Sequence, residues 1–154
     1  MILKECGKKL NISSIQEIEN VLNVQFPKDY VNFMLEHNGG RPIEHYSLSF
    51  KETDPETHQL MDNSFDIHSF NTLEDMPLFY ENLVSSEVIP KNYYSIADDS
   101  CGNEILLCLD GSLHHQQIFF GNHELYHSDE SWVLTKIANS FNEFLSLLEN
   151  TKKQ

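Results

Sequence analysis

One string in this 154-residue chain matches a catalytic signature, His123-Glu124-Leu125-Tyr126-His127. In H-E-x-x-H zinc hydrolases a helix sets both histidines on one face as metal ligands, and the glutamate activates a metal-bound water. The flanks here oppose that reading. Gly121-Asn122 precedes the string at the end of the apolar run Ile118-Phe119-Phe120, and Ser128-Asp129-Glu130-Ser131 follows it. Turn-formers on both sides leave too short a window for a helix to form. A third ligand is also wanted, and the downstream Glu143 reads instead as the capping partner of Ser140. The plainer reading, two histidines on a polar turn beside a sheet, is preferred. A zinc-dependent hydrolase stays open as an alternative.

Other chemistry is thinner. His114-His115 follows Asp110-Gly111-Ser112 and reads as an exposed pair in a hairpin loop. Cys101 stands close to Asp98 and Asp99, which disfavour the thiolate a nucleophile needs. Cys6, Cys101 and Cys108 show no C-x-x-C spacing, so reduced structural cysteines are expected and neither a disulfide framework nor a zinc site is implied. Asn38-Gly39-Gly40 runs into Arg41-Pro42 rather than a helix, so it reads as a helix stop, not a phosphate loop. Arg41 is the one arginine, which leaves little material for bidentate anion recognition. No catalytic residue, metal ligand or cofactor site is assigned.

Carboxylates are the abundant functional material. The chain has 24 acidic against 10 basic residues, a formal net charge of -14. Nucleic acid and anionic membranes both require basic residues to displace counterions, so direct binding to either is not expected. A partner with a basic surface is the natural complement. Glu52, Asp54, Glu56 and Asp62 fall in one acidic loop, and Asp98, Asp99 and Glu104 lie around a hairpin turn. These seven are the candidate contacts, weighed against the commoner fate of a solvated acidic face. The start of the sequence lacks an apolar core of signal-peptide length and no stretch could span a bilayer as a helix, so a cytoplasmic location is expected.

The elements that would carry these residues are legible in part. Ser14-Ile15-Gln16-Glu17 matches a capping box and predicts a helix from there to Asn23, with Ile15, Ile18 and Leu22 inward and Val21 beside them. Pro27 sits in the first turn of a second helix, whose Tyr30, Phe33, Met34 and His37 share a face. Alternation predicts strands at 46–50 and 65–70, on either side of the acidic loop. A short helix is expected between Asp75 and Ser86, with Leu78, Phe79 and Leu83 inward. Strands at 93–97, 104–109 and 117–120 read as an antiparallel meander whose middle member, apolar on both faces, must be central. Ser140-Phe141-Asn142-Glu143 opens a last helix, and residues 151–154 fray. The whole predicts one α+β domain over 1–154, a central antiparallel sheet flanked by helices from the N- and C-terminal segments.

Taken together, several of these runs resemble the SUKH superfamily, named partly for fungal Smi and Knr proteins and common as bacterial immunity proteins. The residues carrying the resemblance are Ile15, Glu19 and Leu22; Phe26-Pro27-x-x-Tyr30-x-x-Phe33 running to Asn38-Gly39-Gly40; Ile96-Ala97-Asp98-Asp99 with Gly102-Asn103; Ile118-Phe119-Phe120 running to His123-Glu124; and Ala138-x-Ser140-Phe141-x-Glu143-Phe144-Leu145. Residues 51–92 match poorly. The resemblance implies an α+β fold, His123-Glu124 at a strand end, and a role as the antitoxin to a cognate toxin, frequently a nuclease. A nuclease presents a basic groove that an acidic inhibitor could enter, which joins the implied role to the charge. A regulatory interaction scaffold is the remaining alternative.

Overall fold

The computed structural model describes residues 1–151. Helix α1, Ile12–Leu22, begins three residues earlier than the Ser14 capping box predicts. Asn11 is the N-cap, its side chain accepting from the Ser14 backbone, while the Ser14 hydroxyl receives the Asn11 N–H at 3.0 Å. Ser14 therefore fills the return half of the box, a role usually taken by Glu or Gln. Ile15 is buried, with Ile18 and Leu22 beside the core, whereas Val21 is 71% exposed on the far side. Asn23 ends the helix in the left-handed conformation.

Helix α2, Lys28–Glu36, is capped by Pro27 and carries Asp29 in its first turn. It is not stopped by a left-handed glycine, as the Asn38-Gly39-Gly40 string suggests; His37 ends it in extended backbone. The glycines serve a close crossing instead. Gly39 has φ +67°, and a Cβ there would stand 2.7 Å from the Phe70 carbonyl oxygen; at Gly40 it would meet Cys6 Sγ at 2.8 Å. Only glycine admits that approach. Buried Asn38 locks the crossing by donating to the Lys8 carbonyl at 2.8 Å and accepting from the Leu73 N–H at 2.9 Å.

Strand β1, Leu3–Lys4, pairs with β2, Arg41–Pro42, as a small ribbon. Strands β3, Tyr46–Thr53, and β4, Leu60–Asp66, form a hairpin extended on the other side of β3 by β10, Glu149–Asn150. The main sheet orders β5, β6, β7, β8 and β9 side by side, all antiparallel, with ranges Ser69–Phe70, Tyr93–Asp98, Glu104–Cys108, Ile118–Tyr126 and Trp132–Ala138. The meander is as expected, with β7 in the centre. The sequence pattern does not predict strand β9, because Trp132-Val133-Leu134-Thr135-Lys136 alternates weakly and ends in a charge.

Both faces of β7 are covered. Ile105, Leu107 and Leu109 belong to the main core with Tyr30, Met34, Phe141 and Phe144, so α1, α2 and α4 (Phe141–Leu147) pack on one side. Leu106 and Cys108 face the other way, into a second cluster with Ile89, Tyr93 and Phe119. Helix α3, Met76–Ser85, touches both: Met76 and Tyr80 join the first core, Leu83 and Val84 the second. Leu78 and Phe79, expected inward, are 58% and 38% exposed. Pro77 fixes the first turn, and the helical phase that buries Met76 and Tyr80 turns those two outward.

Ser140 caps α4 by accepting from Glu143 N, but the Glu143 carboxylate takes the Asn139 N–H at 3.2 Å rather than that of Ser140. Thr151, expected to fray, donates its N–H to the His45 carbonyl at 3.0 Å. Residues 152–154 of the predicted tail lie outside the described residues.

Candidate functional site

The hairpin of β3 and β4 shows why strand parity sorts its acids. On β3 the inward positions are Leu48, Phe50 and Glu52. Phe50 and Phe65 pack on Phe120 of β8 with ring centroids 4.8 and 5.1 Å away, joining the small sheet to the large one. Glu52 continues that inward row. It is 5% exposed, and its Oε1 accepts from the carboxamides of Asn63 at 2.8 Å and Asn122 at 3.1 Å. A carboxylate so engaged offers a partner almost no surface.

The acidic loop is tighter than its sequence suggests, because β3 and β4 extend into it. Asp54 accepts from the N–H groups of Thr57 and Glu56 at 2.9 and 2.8 Å, and these bonds hold its carboxyl below the usual range. Glu56 is exposed at the turn. Asp62 lies on β4 and meets Lys51 Nζ at 2.8 Å in an exposed pair.

The second group surrounds the turn between β6 and β7. Asp98 accepts from the Ser69 N–H and hydroxyl at 3.2 Å and lies 3.3 Å from His68 Nδ1. Asp99 is 8% exposed, because its carboxylate folds the turn: it accepts from Cys101 N and Asn103 N at 2.9 Å and from the Asn103 carboxamide at 2.8 Å. Glu104 is paired with Asp98 across the ladder and accepts from the Ser95 hydroxyl, itself bonded to buried Asn71. Burial lifts the Glu104 carboxyl to about 7; Asp98 and Asp99 add to the lift and the Ser95 hydroxyl opposes it.

The two groups are tied through the dipeptide Asn122-His123. Asn122 meets Glu52, while the His123 N–H and ring Nδ1 reach Asn103 Oδ1 at 3.0 and 2.7 Å, and Asn103 in turn holds Asp99. Sequence reasoning missed Asn103 and Asn122 as organisers. The neighbouring His123 is read from sequence as a residue of a polar turn or strand end, without the Asn103 contact that fixes it. Of the seven predicted carboxylates, Glu52, Asp99 and Glu104 build the scaffold, while Asp54, Glu56, Asp62 and Asp98 face outward to differing degrees.

The H-E-x-x-H string is not helical. His123 to Tyr126 belong to β8, in a bulge between the Asn122–Val133 and Tyr126–Trp132 pairs, and His127 lies just beyond. His123 packs edge-on to Trp132 at 6.1 Å and over Gly102. The one-face geometry of a zinc hydrolase is therefore missing, and the polar-turn expectation is corrected to a bulged strand. Among the described residues no group of three His, Cys, Asp or Glu stands ready to hold a metal ion. His114 and His115 are exposed in the loop, engaged with Gln117 and the Gly111 N–H. Cys6 and Cys101 are exposed and free, Cys108 buried and free. No described helix is long and apolar enough to cross a membrane.

With this architecture in view, the model of the SMI1 / KNR4 family (SUKH-1) matches residues 9–147. The chain belongs to that family. It is also 31% identical over 147 residues to the SPbeta prophage-derived uncharacterized protein YokK of Bacillus subtilis (strain 168), covering 85% of this chain and 70% of that relative. SUKH-1 proteins are known as immunity proteins, and this member carries the expected α+β fold. Its SUKH-1 strings now have visible tasks. Glu19 holds the Phe26 N–H at 2.7 Å to join α1 to α2. Tyr30 sits edge-on between Phe26 and Phe141, with centroids 5.3 Å away on each side. Asp99, Gly102 and Asn103 shape the turn against His123.

Proposed function

We propose that this SUKH-1 protein is an immunity protein that binds and neutralises one cognate toxin, a nuclease, without catalysing a reaction itself. The observation carrying this reading is that a -14 chain of an immunity family keeps Asp54, Glu56, Asp62 and Asp98 on or beside two hairpins, one in each sheet, that the Glu52–Asn122 contact ties together. The inward carboxylates Glu52 and Asp99 hold those hairpins, so the outer ones are presented on a fixed frame. A basic groove built for a polyanionic backbone is the complementary surface, and opposite charge would speed encounter and set register. A zinc-hydrolase role loses support because its signature lies on a strand.

Co-expression with the toxin encoded beside this chain's gene tests the reading. Rescue of growth and a stable one-to-one complex are expected. A toxin that still kills, or that forms no complex, contradicts it. Several moderate-affinity partners and no toxin would instead fit a regulatory scaffold.

A further inference from the structure

On this acidic molecule one groove is lined by cations and by no carboxylate among the described residues. It lies between the β3–β4 hairpin and strand β9, has a volume of about 500 Å³, and is lined by Lys51, Thr53, His58, His127, Thr135 and Lys136, with Pro55, Val133 and Leu134 as an apolar wall. Lys51 and Lys136 come from different sheets and both line it. Neither is committed by a buried ion pair: Lys51 meets exposed Asp62, and Lys136 Nζ donates to the neutral Asn139 at 3.1 Å. Exposed pairs of the first kind are worth about 1 kcal/mol or less and give way to a better-placed anion.

The chemistry of the lining selects the ligand. Lysine is a compact point charge suited to phosphate, whereas planar carboxylate recognition is the work of arginine. The only arginine, Arg41, faces Glu5 elsewhere. The groove falls in the size range of small-molecule sites, too large for a bare phosphate, and its apolar wall can seat an organic group. The net charge opposes anions at long range, but salt screens that field beyond about 8 Å while the groove cations act at contact.

We propose that this groove binds the phosphate group of a small phosphorylated molecule, beside the outward carboxylate Asp62 that pairs with Lys51. Isothermal titration and backbone chemical shifts of the full chain, with pyrophosphate and with ADP as probes and no toxin present, test it. Both probes should shift Thr53, His58, His127 and Thr135. Tighter ADP binding reports use of the apolar wall, and affinity for pyrophosphate equal to that for ADP would contradict an organic occupant. The double variant Lys51→Gln/Lys136→Gln should weaken binding at least tenfold, Asp62→Asn should tighten it by freeing Lys51, and Lys4→Gln/Lys91→Gln should leave it unchanged. Shifts scattered over all lysines, indifference to the double variant, or preference for a hexaglutamate peptide over either probe would overturn the proposal. Because no toxin is used, these outcomes are independent of the immunity reading.

Discussion

The Glu52 carboxylate accepts a hydrogen bond from the Asn122 carboxamide at 3.1 Å, joining residues 70 positions apart across the seam between the two sheets. With Asn63 on the same oxygen at 2.8 Å, this makes Glu52 a structural acid in the middle of an acidic segment.

Glu52→Ala is accordingly expected to lower stability without altering a partner interface directly. It leaves two buried-edge carboxamides without their acceptor, at about 1–3 kcal/mol each before relaxation. Glu56→Ala, at the exposed turn, should leave urea unfolding within about 0.5 kcal/mol of wild type. Equal effects of the two substitutions would show that Glu52 is not holding the seam.

Glu104 gives a pH dependence with a definite sign. Its carboxyl lies near 7 in the folded chain against an ordinary 4.5. The folded state therefore binds the proton more tightly, and stability falls as pH rises from about 4.5 to 7, then levels. At about 1.4 kcal/mol per tenfold change in proton affinity, the loss is about 3 kcal/mol. Urea unfolding of wild type and Glu104→Gln across this window checks it, because the variant should lack that decline. Parallel curves would assign the dependence to other groups.

Gly39→Ala tests the crossing of the Asn38-Gly39-Gly40 segment with β5. The added Cβ faces both a left-handed backbone and the Phe70 carbonyl oxygen at 2.7 Å. A destabilisation of about 3 kcal/mol or more is expected. Thermal unfolding unchanged within 2 °C would contradict the crossing geometry.

The parts legible in the sequence are those set by local periodicity and caps. Asn23 as the end of α1, the two-sided burial of β7 and Ser140 as a cap all follow from neighbours a few residues away. What escaped were features decided by distant partners. Asn11 displaced Ser14 as the cap because its side chain reaches Ser14 N at 2.8 Å, and both residues are acceptable caps by type. Strand β9 forms because β8 is there to pair with it. Among the seven candidate carboxylates, residue type said acidic surface for all; only strand parity and the Asn63, Asn122 and Asn103 partners separate inward Glu52 and Asp99 from outward Glu56.

The most direct test is the ionic-strength dependence of association between this chain and the cognate toxin proposed for it, for wild type and for Asp54→Lys/Glu56→Lys/Asp98→Lys. Wild type should associate fast at low salt and slow steeply as salt is added, and the triple variant should associate at least tenfold more slowly with a flatter dependence. Absence of binding by the folded wild-type chain would contradict the immunity function, and identical kinetics for both proteins would contradict the acidic face as its means.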